Sequence, residues 1–275
     1  MQYTKNNPLR VVTLCSGYDS QCLALNRLRE HYPNFDYELV AWSEFDPESK
    51  APLQRQPAVV AHNALFPQWA DRNLGDMTKI EWERVPDFDL LFYSTPCQSI
   101  SQAGLQHGFT EGSGTRSSII WNVRDAVKVK RPKFLCLENV KAMVTEKFVG
   151  MFNLWQLELE RLGYRNFSEV LNAKDYGVPQ NRERIFLVSI RDDGDLPRFF
   201  FPQPFPLERR LKDVLEDNVD EKYYLSDKML DYFNRVDADK THGHNFTPKD
   251  GDDTAFTIRT APGQRVDDNF IKEDV

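Results

Sequence analysis

The sequence predicts an α/β fold built on a parallel, doubly wound sheet with helices on both faces. Three observations carry that expectation. Short β-rich apolar runs alternate with stretches whose apolar residues recur at helical spacing. The alternation is sustained from residue 9 to about residue 192, as a parallel sheet with crossover helices requires. Several apolar runs then give out into short polar segments, the edge where a sheet of this kind gathers its ligands.

In order, "LRVVTLCS" (9–16) reads as a strand and "SQCLALNRLREHY" (20–32) as the helix after it. "YELVAWSE" (37–44) is a second strand, followed by a short helix in "PESKAPLQRQ" (47–56). "FDLLFYSTP" (88–96) is a third strand, "SSIIWNVRDAVKVK" (117–130) a helix and "KFLCLENV" (133–140) another strand. "KFVGMFNLWQLELERLG" (147–163) has the pattern of an amphipathic helix stopped by Gly163. "YRNFSEVLNA" (164–173) and "RERIFLVSI" (182–190) read as two paired strands around a turn at "DYGVPQN".

Beyond residue 192 the rhythm breaks. "RDDGDLPRFFFPQPFP" (191–206) is a Pro- and Phe-rich connector, then comes a helix or two within 207–235 and a polar, Gly- and Asp-rich stretch over 238–275. The expected division is a domain over 1–192 and a smaller region over 193–275, with no internal repeat.

The composition, 40% hydrophobic and 28% charged over 275 residues, is enough for a full core. No apolar run approaches the ~18 residues that span a bilayer, and "MQYTKNNPLR" lacks the apolar core of a secretory signal. Cys15, Cys22, Cys97 and Cys136 form no CxxC pair and no Cys/His cluster at metal-ligand spacing. The expectation is a reduced, cytoplasmic protein without metal or membrane anchor. The net charge of −7 runs against phosphate binding on average, while leaving room for a local basic groove.

The strand tips are "CSGYDS", "SEFD", "STPCQ" and "ENV". They bring together a glycine turn, the acids Glu44, Asp46 and Glu138, and a cysteine. Free cysteines usually pack as small hydrophobes, but Cys97 sits among Pro96, Gln98, Ser99 and Ser101, which suits an exposed loop. Singly, a tip acid is a helix cap and a glycine turn is only a turn. Their convergence on one edge of one sheet makes them a site.

Read together, "TLCSGYDSQ", "STPCQSIS", "ENV" and "YGVPQNRERIFLVSI" resemble the DNA (cytosine-5)-methyltransferase family. The likeness is strong over residues 9–191 and looser over 207–271. It implies a Rossmann-like S-adenosylmethionine-dependent fold with a partial target-recognition region, of restriction-modification or phage type. The implied partner is double-stranded DNA, with the cytosine flipped out and held in a covalent adduct. Cys97 is then the thiolate that adds to C6, although a free thiol of pKa ~8.5 is only a few per cent ionised near neutral pH. Glu138 contacts N3 and the exocyclic amine, and as a proton donor it needs a pKa raised by burial. Arg184 holds O2, and Arg182 supports the cysteine loop; two arginines two apart on a strand share a face.

On the cofactor side the resemblance implies Ser16, Gly17 and Tyr18 around the methionine moiety and Glu44 on the ribose hydroxyls. It adds Asp76 and Met77 near the adenine and Pro96 in the pocket wall. Trp42 and Phe45 both remain open as the stacking ring. The turn departs from the family in having Asp19 and Ser20 where glycines are usual, which brings a charge into it. "SQAGLQHGFTEGSGTRSS" (101–118), with four glycines, reads as a loop that closes over an extruded base, its glycines and Ser99 approaching the DNA backbone. The family's last two motifs have no counterpart here, which points to a fragment or to a second chain that supplies them. The alternatives are a tRNA cytosine-5 methyltransferase and a catalytically silent nucleic-acid-binding homologue.

Overall fold

In the computed structural model, which describes residues 3–97, 108–194, 198–239, 246–258 and 268–272, four apolar runs form a parallel array. β1 (Leu9–Leu14) lies between β2 (Tyr37–Ser43) and β3 (Leu90–Tyr93), and β3 pairs with β4 (Phe134–Val140). Leu14 is in register with both Ser43 and Tyr93, and Tyr93 with Leu137. The next residue of each strand, Cys15, Glu44, Ser94 and Glu138, therefore falls in one row along the sheet edge.

The helices are α1 (Ser20–His31), α2 (Pro57–Leu65), α3 (Val123–Lys130) and α4 (Val149–Arg161). On one face Val11, Tyr37 and Leu39 pack with Cys22 and Leu25 of α1 and Val59 of α2. On the other, Val12, Leu14, Leu91, Tyr93, Leu135 and Leu137 meet Val127 of α3 and Phe152, Trp155 and Leu159 of α4. The first face is covered unevenly. Over β3 and β4, Leu90, Phe92, Phe134 and Cys136 stay only partly buried, while their neighbours Leu91 and Leu135 are fully enclosed.

Two expectations are corrected. The sheet is not wholly parallel: its order is β2-β1-β3-β4-β7-β5, with β5 (Tyr164–Asn172) at the edge and β7 (Glu183–Arg191) antiparallel to β4. Residues 173–182, which link β5 to β7, are too few for the helical crossover that a parallel pair needs. The helix expected in 47–56 is only a 3-10 turn at Leu53–Arg55, and the α-helix begins at Pro57. Proline suits that start because it has no N–H to donate, and the N–H groups of a helix's first turn lack intrahelical partners anyway.

The chain divides into two compact units, residues 1–170 with 184–200 and residues 171–183 with 201–275. Residues 171–183, which the sequence reading groups with the first domain, thus belong to the second unit. That unit holds a two-stranded parallel sheet of β6 (Gln180–Asn181) and β8 (Ala255–Phe256). Its helix α5 (Asp227–Asp239) carries Phe233, a buried ring 5.3 Å from Phe246 and 5.1 Å from Phe270.

Trp155 anchors the covered face of the first unit. Fully buried, it donates to the Tyr93 hydroxyl at 3.1 Å and meets Trp121 edge-on at 5.4 Å. Trp155→Ala is expected to lower unfolding free energy by about 3–5 kcal/mol through the cavity it leaves. A denaturant titration checks this, and a loss below ~1 kcal/mol would contradict the packing described.

Candidate active site

The turn after β1 carries the first half of the site. Gly17 has a φ of +57°, which glycine adopts without the steric penalty of a Cβ, and its amide donates to Glu44 Oε2 at 2.6 Å. Asp19, the acid that the sequence places in this turn, points inward. It is fully buried, accepts from the Thr13 hydroxyl at 2.8 Å, caps α1 through the Cys22 amide and lies 3.5 Å from His62 Nε2.

A cavity of about 580 Å³ opens beside these tips. Of the residues the resemblance assigns to the cofactor, Glu44, Phe45, Asp76, Met77 and Pro96 line it, whereas Ser16, Gly17 and Tyr18 are not in its wall. Ser16 is buried, and Tyr18 stands largely in solvent. Gly17 holds one of the lining residues, Glu44, by its amide. The two candidate rings are now separated. Trp42 is fully buried, stacked on His62 at 3.6 Å and donating to the Trp69 carbonyl. Phe45, half exposed, faces the cavity.

Sequence reasoning missed two side-chain amides that fix this wall. Asn73 accepts from the Glu44 amide at 3.2 Å and donates to the Glu44 carbonyl at 3.3 Å. Gln56 does the same for Asp46, at 2.8 and 3.1 Å. Each mimics a strand edge, and its signal lies in the fold rather than in any local pattern. The segment at Asn73 also bridges to Trp42 of β2, which carries Asp76 to the cavity.

Burial pushes the Glu44 carboxyl above its ordinary range, against the Gly17 amide that favours the ionised form. Burial also works to raise Asp76, but bonds from Thr78 and Lys79 outweigh it and hold Asp76 low. The two acids should therefore differ in their linkage to pH. A raised Glu44 binds its proton more tightly folded than unfolded, so its ionisation destabilises the fold above the raised pKa and has no effect below the unfolded value. Glu44→Gln, which keeps an acceptor for the Gly17 amide, should be the more stable protein near neutral pH. Thermal melts at several pH values should show that advantage disappearing as the solution is acidified; a constant difference would refute it.

The second half of the site lies at the tips of β3 and β4. Glu138 accepts from the Ser94 hydroxyl at 2.7 Å and pairs with Arg184 Nε at 3.1 Å. Asn139 donates to the Thr95 carbonyl at 2.9 Å, tying the Cys97 segment to the end of β4. Cys97 itself is partly buried. The remaining thiols are disfavoured as nucleophiles: burial pushes Cys15 and Cys22 up beyond the titrating range and Cys136 up to about 12.

Arg182 is a correction. It lies in the gap between β6 and β7, within the second unit, so the one-strand, same-face relation to Arg184 does not hold. Its amide donates to Asn172 Oδ1 at 3.0 Å and its carbonyl accepts from Ala173. Ser99 and the first part of the glycine-bearing segment, through residue 107, lie outside the described residues. The described part is anchored: Phe109 is fully buried and its carbonyl accepts from Trp121 Nε1 at 2.8 Å. Gly108 has a φ of +81°, and a Cβ there would stand 2.7 Å from Met151 Cε.

The family model for C-5 cytosine-specific DNA methylase matches residues 9–266. The chain belongs to that family. A type II methyltransferase, M2.ScrFI of Lactococcus lactis subsp. cremoris, is 45% identical over 160 residues, covering 58% of this chain and 44% of that protein. The orphan methyltransferase M.Rho11sI of Bacillus phage rho11s is 32% identical over 248 residues, 80% of this chain and 46% of its own length. The chain thus spans about half the length of the curated relatives it matches. Among solved structures, a DNMT2 variant of Spodoptera frugiperda aligns with a TM-score of 0.66 at 18% identity, over 90% of this chain and 68% of that one. That likeness shows the fold, the Rossmann-like one of S-adenosylmethionine-dependent methyltransferases. Among the described residues no helix is long and apolar enough to cross a membrane.

Proposed function

We propose that this chain carries the catalytic machinery of a DNA cytosine-5 methyltransferase, with Cys97 as nucleophile on a flipped cytosine and S-adenosylmethionine as cofactor. The observation that carries the reading is the sheet edge itself: the donor cavity at the tips of β1 and β2 adjoins the Glu138–Arg184 pair and the Cys97 segment at β3 and β4.

The cavity's residues suit the cofactor. Glu44 is a carboxylate acceptor for a ribose diol, Phe45 a ring for the adenine, and Asp76 an acceptor for an exocyclic amine. When bound, the cofactor supplies an electrophilic methyl group. The chain's own residues would do the rest. As its thiolate, Cys97 would add to C6 of the base, breaking the C5=C6 double bond and making C5 nucleophilic, while Glu138 and Arg184 hold the N3 edge and O2 as charge develops there. Loss of the C5 proton and departure of the thiolate from C6 would then restore the double bond of the methylated base. Pro96 shapes the wall between the two sites. Gly17 is proposed to act through Glu44, which its amide holds, with Ser16 and Tyr18 flanking it in the turn beside the cofactor.

We further propose that turnover needs an additional segment, on a longer chain or on a partner, to complete the catalytic domain. The partly exposed stripe of Leu90, Phe92 and Phe134 supports this, since a doubly wound sheet is otherwise covered on both faces. A tritiated-methyl transfer assay tests the whole reading, with duplex DNA and tRNA offered separately and with a completing polypeptide added or omitted. DNA labelling that depends on the supplement is the expected result. Preference for tRNA would favour the other cytosine-5 activity, and robust labelling by the chain alone would remove the need for a further segment.

A further inference from the structure

The cavity at the tips of β1 and β2 is bridged at its mouth. Arg116 Nη2 stands 3.3 Å from Asp46 Oδ1 and 3.6 Å from Glu48 Oε1, and all three residues line the cavity. They come from different walls: Asp46 and Glu48 follow β2, while Arg116 opens the 3-10 helix Arg116–Asn122. The next residue, Ser117, is buried, and its hydroxyl donates to the Pro96 carbonyl at 2.7 Å. That carbonyl belongs to the peptide immediately before Cys97. One turn of chain therefore reaches the cavity mouth with one residue and the base of the thiol segment with the next.

We propose, resting on the reading of the cavity as the methyl-donor site, that Arg116 and Ser117 are positioning residues coupling donor occupancy to the placement of Cys97. Arg116 retains the donor by bridging the mouth. Ser117 passes the position of that turn to the Cys97 peptide.

The two bonds have the strengths these roles require. Arg116 is 30% exposed and its partners 51% and 79%. Ion pairs so exposed are individually weak and screened by salt, so the bridge opens easily for exchange. The Ser117 hydroxyl is buried, and its loss takes a donor from a partly buried carbonyl, so the pin is the firmer of the two and holds while the bridge cycles. The alternative is a packed turn with an incidental surface ion pair, which would affect stability but transmit nothing.

The test uses the purified chain and two readouts that need no turnover. S-adenosylmethionine binding is measured by calorimetric titration at low and high salt. Cys97 alkylation by iodoacetamide is followed by peptide mapping, with and without the donor. In the native protein the donor should change the alkylation rate. Arg116→Met should weaken donor binding about three- to tenfold at low salt, with the difference shrinking at high salt. Ser117→Ala should bind the donor nearly as the native protein does yet lose its effect on Cys97, and Ser117→Thr, which keeps the hydroxyl, should restore it. Native-like binding by Arg116→Met at low salt, or an intact donor effect in Ser117→Ala, overturns the proposal alone. Failure of the folded native chain to bind the donor overturns the reading of the cavity and this proposal with it.

Discussion

Replacing Cys97 with serine is expected to abolish methyl transfer while leaving cofactor affinity nearly unchanged. A serine hydroxyl is far less acidic than a thiol, so almost no anion is present to add to C6 near neutral pH. The substitution removes no wall of the donor cavity, since Pro96 rather than Cys97 lines it. The companion experiment traps the adduct on DNA containing 5-fluorocytosine, with whatever completing segment turnover requires. Mass mapping should find it on Cys97. Cys15, Cys22 and Cys136 are poor competitors, because burial holds each thiol protonated. An adduct on any of those three would sink the assignment.

The second large effect is expected at Glu138. Glu138→Gln keeps the shape and an oxygen that can accept from Ser94, but it removes the charge paired with Arg184. Loss of the acid should lower the methylation rate by about 10²–10⁴, the usual range for a positioned acid–base group. It should also destabilise the fold by about 1–2 kcal/mol, as Arg184, only 17% exposed, loses its anionic partner. Parallel melts and single-turnover rates separate the two. A rate loss no larger than the unfolded fraction accounts for would reduce Glu138 to an architectural role.

Much of this site is legible before any coordinates. Apolar runs ending in "CSGYDS", "SEFD", "STPCQ" and "ENV" place a glycine turn, two sets of acids and a cysteine at strand ends, because strands end where apolar alternation stops. The acids that line the cavity and its Pro96 wall follow from that edge. What local pattern misses is of two kinds. Pro57 opens α2 rather than breaking it, and residues 173–182 are too short for a crossover, which turns β7 antiparallel to β4. Both depend on chain length and position within an element rather than on residue type.

The sequence by itself determined the class of fold, the strand tips and the residue types at them, since hydrophobic period and polar termination are local properties. Only the tertiary structure decided how the side chains are used. Asp19 turns inward because Thr13 and the start of α1 offer it partners, although its position in the turn suggests a charge facing the cofactor. Trp42 goes to the core because His62 and the Trp69 carbonyl, distant in sequence, meet it there, which leaves Phe45 for the cavity. Arg184 reaches Glu138 because β7 runs beside β4, while Arg182, two residues earlier, falls in the other unit. In each case the deciding partner lies on a different element. Burial and hydrogen-bond satisfaction are set by those meetings, and no window of sequence contains them.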